Sequence, residues 1–528
     1  MTGLTGVSSG ILTSSEITSL IQQASAAYDA PITALQKAEQ PISTKISALG
    51  QVQNSLSSLQ SALASLADVQ SLPQRTATSS SGDVAASVTN AAATGTYQIG
   101  NIHLASAETL LSSGFQSASG ALGAGSLSIQ VGSGAATTLT IASGEDNLAD
   151  IASTINSAGL GVSANVVFDG TNYSLMLTGQ DTGTTHAFSV SGSGGLAAFG
   201  YSTGVSGSQG LTAETTAQNA SFSLNGLAIT SGSNTISGTV AGLTLTLAAS
   251  GSATVSVGQN TAPLVQAAQS VVSGMNTALA TINQYASYSQ TSGAGPLLGD
   301  VGLQIVRTDL LDAVSSFNGG FASGGLNSLG AVGFGISKTG QITLDTATLT
   351  TAAQSNYTAV AGLLGSIGIA SNPNVAVSNL GAATSGSYAV NVASNSAGTI
   401  TGTVGGQAAS GSGGVMTVAG GALQGLSLDI ANGATGDLGA VTVTSGLYGE
   451  LSAILTGALD PTHGSVTQEV TNLNASVTSM NQQMGALAQE AQAETQQLTQ
   501  QFSAAQSTIS QLTTVSNFLS SYFNMTSG

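Results

Sequence analysis

Both ends of this 528-residue chain carry the same kind of apolar repeat, and that symmetry limits the available folds more than any other feature. Near the start, Leu49, Val52, Leu56, Leu59, Leu63 and Leu66 step by 3, 4, 3, 4 and 3 residues. Near the end, Val466, Val470, Leu473, Val477, Met480, Met484, Leu487 and Ala491 step by 4, 3, 4, 3, 4, 3 and 4. A 4-3 stripe lies on one face of an α-helix, and such a face has to be covered. The two ends can cover each other if they lie side by side, which makes everything between them an insertion.

The stripes extend outward on both sides. Ile17, Leu20, Ile21, Ala24, Tyr28, Ile32 and Leu35 precede the first seam. Phe502, Ala505, Ile509, Leu512, Val515, Leu519 and Tyr522 follow the second, after a polar gap in which the stripe falters at Glu494. Thr13 to Glu16 reads as a capping box opening the first helix. Pro31 and Pro41 each remove a backbone donor, so the spacing predicts two or three helical pieces here rather than one rod.

Composition narrows the function. Charged residues are 5% of the chain, and 23 acidic against five basic residues leave a net charge of −18. So acidic a chain cannot neutralise a run of phosphates, which argues against nucleic acid as a partner. No apolar run approaches the roughly 20 residues that span a bilayer, so a membrane-spanning role is not expected. The first residues lack a basic n-region and a continuous apolar h-region, so a cleaved signal peptide is not expected either. The flanks of both seams are mostly Ser, Gln, Asn and Thr, so apolar fit rather than ion pairing has to select the partner helix.

From about Arg75 to Gly258 the composition turns to Gly, Ser, Thr and Val in alternating fragments that read as short antiparallel strands. A helical period returns from Leu264 to Tyr288, and a further helix is predicted from Gly302 to Phe317. A second β-like block runs from about Asn372 to Ser445. It contains TSGSYAVNVA (Thr384 to Ala393), an echo of ATGTYQIGNIHLA (Ala93 to Ala105) that suggests an internally duplicated strand unit.

Several blocks, in order, resemble the filament-cap proteins of bacterial flagella, the hook-associated protein 2 family. They are Ser14 to Leu66 with its Ala30-Pro31 followed by a leucine stripe, Gly125 to Gly183, Ala220 to Leu247, Gly295 to Leu311 and Ser328 to Leu349. Gly125 to Gly183 is similar to a short β-α-β motif of hook and flagellin proteins, centred on Ile155-Asn156. The stem of such proteins is usually rich in Lys, Glu and Arg, whereas Ser, Gln and Ala stand at those positions here. About Asn372 to Ser445 has no counterpart in the resemblance.

The resemblance implies an α+β multidomain protein: a helical coiled-coil stem formed by both chain termini, with inserted antiparallel β-rich domains. The expected division is terminal helical legs at 1–40 and 490–528, partly disordered in the free protein, and a helical stem from 41–74, 261–365 and 456–489. A β domain is expected from 75–115 and 216–260, a second β domain with the flagellin-like motif at 116–215, and an extra β-rich insertion at 366–455. The inner seam residues, Leu49 to Leu66 and Val470 to Leu487, would form the bundle within one chain. The outer ones, Ile17, Leu20, Ile21, Tyr28, Ile32, Leu35, Phe502, Ile509, Leu512, Leu519 and Tyr522, would contact filament or hook subunits. Implied partners are further copies in a ring, commonly a pentamer, together with flagellin, hook-filament junction proteins and an export chaperone. The implied location is the extracellular flagellum tip.

No catalytic, metal or cofactor site is expected. GVSSG (Gly6 to Gly10) matches a nucleophile elbow in letters, but no strand precedes it. His103, His186 and His463 are scattered and lack a carboxylate at helix-facing spacing. Asp146 or Asn147 suits a helix cap, and Asp169-Gly170 a hairpin turn. The alternative function is a secreted adhesin or surface-layer binding protein, suggested by the Gly- and Thr-rich strands.

Overall fold

The structure, a computed structural model, describes residues 14–202, 210–291, 293–317, 326–396 and 398–526; the side chains of residues 14 and 523–526 are outside the description. Thr13 of the expected capping box and the GVSSG stretch lie outside the described residues. Eight α-helices occur among those described: α1 (Ser14–Leu63), α2 (Leu148–Ala158), α3 (Ala262–Ala286), α4 (Val301–Ser315), α5 (Thr346–Ser355), α6 (Tyr357–Leu364), α7 (Gly446–Leu459) and α8 (Ser465–Thr526). The chain forms two compact units, Leu72–Pro263 and the remainder on either side of it. This is the α+β architecture expected.

In the unit built from both chain ends, α1 and α8 pack together over much of their length, and α1 also packs on α7. The sequence predicted breaks at Pro31 and Pro41, yet α1 is one helix of 50 residues. Both prolines are exposed, as are Ala27 and Lys37, whose carbonyls lose their usual donors. Water can satisfy those carbonyls, so the packed face continues unbroken. The inner seam is the best-buried part of the helix: Leu49, Val52, Leu56, Leu59 and Leu66 are inaccessible to solvent and Leu63 almost so. Gly274 of α3 lets α3 approach there, since a Cβ at that position would sit 3.1 Å from Leu59 Cδ1.

The same unit holds one sheet of eight antiparallel strands, in the order Ile367–Ala370, Gly436–Thr444, Gly386–Ser396, Thr399–Val404, Gln407–Ser412, Val415–Val418, Ser427–Ile430 and Val375–Asn379. Its core includes Val390, Val404, Met416, Leu428 and Val441. The helical part resumes earlier than the expected boundary at 456. Residues 446–455 begin α7, whose Leu447, Leu451 and Leu455 are fully buried and which packs on α1, α4 and α6.

The other unit has two lobes. In the first, five strands run in the order Arg75–Ser79, Ala253–Gln259, Gly95–His103, Ala220–Leu224 and Leu227–Ser231, beside Thr235–Val240, Leu243–Leu247 and Val84–Val88. The second places α2 and two small sheets around Leu127, Ile151, Leu175 and Phe188. Of the two cap candidates, Asn147 opens α2 by accepting from the amides of Ala149 and Asp150. Asn156 bonds both the amide and the carbonyl of Ala164, tying α2 to strand Val162–Phe168. Thr109–Ser112 pairs with Tyr173–Gly179 in this second lobe, so the lobe begins before residue 109 rather than at 116.

The echo noticed in the sequence extends through a whole domain. In the first lobe the first strand pairs with the last and the last with the third, Arg75 facing Gln259 and Gly95 facing Val257. In the eight-stranded sheet Ile367 faces Thr444 and Gly386 faces Val443, in the same first-last-third order. Both continue through a two-residue hairpin whose central residues have positive φ, Asn225-Gly226 in one and Gly405-Gly406 in the other. Such hairpins need residues that tolerate left-handed backbone. Tyr97 donates to the carbonyl of Ala93, and Tyr388 to that of Thr384, each four residues back. The extra block is thus a second copy of the first lobe's fold. It has a tight connection where the first lobe carries the whole second lobe as an insertion.

Replacing Leu59 by Asp should destabilise the helical unit by more than the roughly 2–5 kcal/mol of a buried Leu→Ala change, because it adds an unpaired carboxylate to the lost packing. An unchanged unfolding midpoint of the full-length variant would contradict this account of the seam.

Candidate interaction surface along the terminal helices

Two side-chain hydrogen bonds mark the register of α1 on α8. Gln53 Nε2 donates to Thr467 Oγ1 at 3.3 Å, and Tyr28 Oη donates to Glu494 Oε2 at 2.7 Å. The two links are 25 residues apart on α1 and 27 apart on α8, running in opposite directions, so the helices are antiparallel and nearly in step. At this register Leu35 to Leu49 run alongside Val470 to Leu487. Ile17 to Ile32 run alongside the stretch from about 489 to 504.

That register revises the sequence-based pairing. Leu59, Leu63 and Leu66 lie past the first residue of α8 and pack into the helical bundle instead; Leu66 accepts at its carbonyl from Ser366 N at 3.0 Å. Val470, Leu473, Val477, Met480, Met484 and Leu487 are half-buried. Of the eleven residues assigned to outside contacts, Ile17, Ile21, Tyr28, Ile32, Leu35, Phe502 and Ile509 are also half-buried, on the stripes that α1 and α8 turn toward each other. The remaining four, Leu20, Leu512, Leu519 and Tyr522, are exposed, by 43, 62, 46 and 57%.

The polar gap at Glu494 is a contact rather than an interruption. The stripe continues through Ala491, Thr495, Leu498 and Phe502, again at steps of 4, 3 and 4, all half-buried. Thr495 fits because its hydroxyl bonds back to the carbonyl of Ala491 at 2.7 Å. Leu498 was missed in the sequence, although its spacing from Ala491 and Phe502 marks it. Beside this stripe the hydrogen bond to Glu494 raises the Tyr28 hydroxyl above its ordinary pKa, with slight desolvation and the charges of Glu494 and Glu490 acting the same way.

Past Phe502 the character changes. α8 runs on beyond the level of Ser14, the first described residue of α1, and there Leu512, Val515, Phe518 and Leu519 are 46–66% exposed. After Glu494 the sequence contains no Asp, Glu, Lys, Arg or His. This end of α8 is therefore apolar, uncharged and exposed.

Comparison with known proteins assigns the family. The flagellar hook-associated protein 2 C-terminus profile matches residues 217–514, and the N-terminus profile matches 13–108. The chain belongs to the flagellar hook-associated protein 2 family. Residues 126–195 also match the flagellin hook IN motif, whose α2 and its Asn156 tie are described above. The chain is 30% identical over 378 residues to flagellar hook-associated protein 2 of Escherichia coli O157:H7, covering 68% of this chain and 79% of that one. It is 28% identical over 347 residues to the B-type protein of Pseudomonas aeruginosa, covering 61% and 73%. The crystal structure of the flagellar cap protein FliD D1-D2-D3 domains from Escherichia coli aligns with a TM-score of 0.50 at 30% identity, over 60% of this chain and 89% of that one.

No group of three or more His, Cys, Asp or Glu side chains that could hold a metal ion occurs among the described residues. His186 Nδ1 lies 2.9 Å from the carbonyl of Thr182, and His463 pairs with Asp460 at 3.6 Å. Asp169 closes its hairpin by accepting from the amides of Asn172 and Thr171, bonds that hold its carboxyl below the usual range. In this family member no described helix is long and apolar enough to cross a membrane.

Because Tyr28 bonds Glu494 only while protonated, the link contributes below the ordinary tyrosine pKa of about 10 and is lost as pH rises through its raised value. Limited proteolysis of the outer helix pair should therefore accelerate at strongly alkaline pH in the wild type, while Tyr28→Phe should already be cleaved faster at neutral pH and lack the alkaline step. Identical cleavage profiles would mean that the bond does not pin the pair.

Proposed function

We propose that this protein caps the distal tip of a bacterial flagellar filament, where it promotes folding and insertion of exported flagellin. The observation that carries the reading is the antiparallel α1–α8 pair, with its exposed, uncharged end, in a chain of the flagellar hook-associated protein 2 family. The outer parts, 1–40 and 490–528, act as legs on the filament top and on hook-filament junction subunits. Leu20, Leu512, Leu519 and Tyr522 make the first contacts, and Ile17, Ile21, Tyr28, Ile32, Leu35, Phe502 and Ile509 stiffen the leg that presents them.

The mechanism is steric templating. Ion pairs impose one geometry and weaken with salt, whereas apolar contacts are non-directional. A leg end of Leu, Val, Phe and Tyr without charge can release one subunit and engage the next at modest cost. Further copies form a ring, a pentamer as the family resemblance implies. The chain reaches the extracellular tip through the flagellar export channel, escorted by an export chaperone and without a cleaved signal peptide. No step calls for a catalytic residue or a cofactor.

Deleting Ser503 to Gly528 removes the exposed end and leaves the helical bundle around Leu59. The expected result is loss of filament growth, with unpolymerised flagellin in the medium and the truncated protein still folded. Normal filaments from cells making only the truncated protein would sink the reading.

A further inference from the structure

The base of α8 carries a polar arrangement unlike the rest of the stem. Asp300 is the N-cap of α4 and accepts from the amide of Leu303 through Oδ1 at 3.0 Å. Its second oxygen, Oδ2, is sealed from solvent, and no N–H or O–H of the described residues bonds to it. The Glu469 carboxyl, in the second turn of α8, comes within hydrogen-bonding reach of Asp300. The two helix starts touch: a Cβ on Gly302 would lie 4.0 Å from Ser465 Cβ.

Two carboxylates cannot bond each other while both are ionised, but one proton between them supplies the missing donor. We propose that Asp300 and Glu469 share a single proton that clamps the start of α8 to the start of α4, and that loss of this proton loosens the base of the stem. The clamp does not depend on the capping function proposed above.

The charged surroundings set the pH at which it opens. From α1, Lys45 acts on Glu469 and favours the ionised form; from the start of α4, Asp300 opposes it. In the turn before α8, His463 and Asp460 pair with each other. Desolvation comes first and the bond and charge of Asp300 follow, together pushing Glu469 up from 4.5 to about 7. A carboxyl raised in the folded state binds more protons folded than unfolded between those two values. The stabilisation is therefore full below about 4.5, falls as pH climbs from there, and is gone above about 7.

Hydrogen exchange of the full-length protein, read on the segment 465–480 and corrected for the pH dependence of intrinsic exchange, tests the clamp. In the wild type, protection should fall several-fold between pH 5.5 and pH 8. Glu469→Gln keeps a permanent donor beside Asp300 and should stay protected at both values. Lys45→Met removes the cation and should move the wild-type transition to higher pH without abolishing it, a readout that does not need the first variant to fold. A flat wild-type profile, the same fall in Glu469→Gln, or an unmoved transition in Lys45→Met would each overturn the proposal.

Discussion

The stem depends on the antiparallel packing of α1 against α8, two helices that are poor in charge. In ordinary coiled coils, flanking Glu and Lys select partner and register. Here those positions are largely Ser, Thr, Gln and Asn, and many hydroxyls fold back onto the carbonyl four residues earlier, as Ser58, Ser61, Thr471, Ser476, Thr478 and Thr499 do. That satisfies each hydroxyl locally and leaves it nothing to contribute to partner choice. Register then rests on the apolar fit together with the two polar links, Gln53 to Thr467 and Tyr28 to Glu494. Serine and threonine are indifferent helix formers, so neither helix is well supported alone, and tertiary packing supplies most of the order.

Burial falls off steadily along this pair. At the base, Leu49 to Leu66 meet several helices at once and lose nearly all contact with solvent. In the middle one helix covers one helix, and every seam residue from Val470 to Phe502 is half-buried. At the far end α8 continues beyond the described start of α1 and its apolar side chains face solvent. The same repeat is therefore bundle core, two-helix seam or solvent-facing end, according to how many neighbours surround it.

The β regions follow a different logic. A single strand order occurs twice, once with a second lobe spliced between its third and fourth strands and once closed by a tight turn near Gly398. A loop connecting two paired strands at the edge of a packed core can accept an insertion without disturbing that core, because loop closure costs little with added length. The chain as a whole applies the same device, its β-rich middle interrupting a unit whose first and last helices pair.

Much of this was legible in the residues. The 4-3 stripes located both terminal helices, the Gly- and Thr-rich alternation located the strands, and the Tyr97 and Tyr388 echo pointed to a duplication that strand order then extended to a domain. A local pattern can report which face of a helix is apolar because that face repeats with the helix itself. It cannot report which partner arrives there: α3 approaches Leu59, and α8 of the same chain lies beside Ile17, Ile21, Tyr28, Ile32 and Leu35, while Leu20 stays exposed. Nor could it show that Pro31 and Pro41 face water, where a missing hydrogen bond is tolerated, or that Asp300 and Glu469, 169 positions apart, meet. The sequence determined the elements and their apolar faces, because those depend on neighbours a few residues away; tertiary structure alone decided which faces met and which were left to solvent, because that depends on the register of helices joined across hundreds of residues.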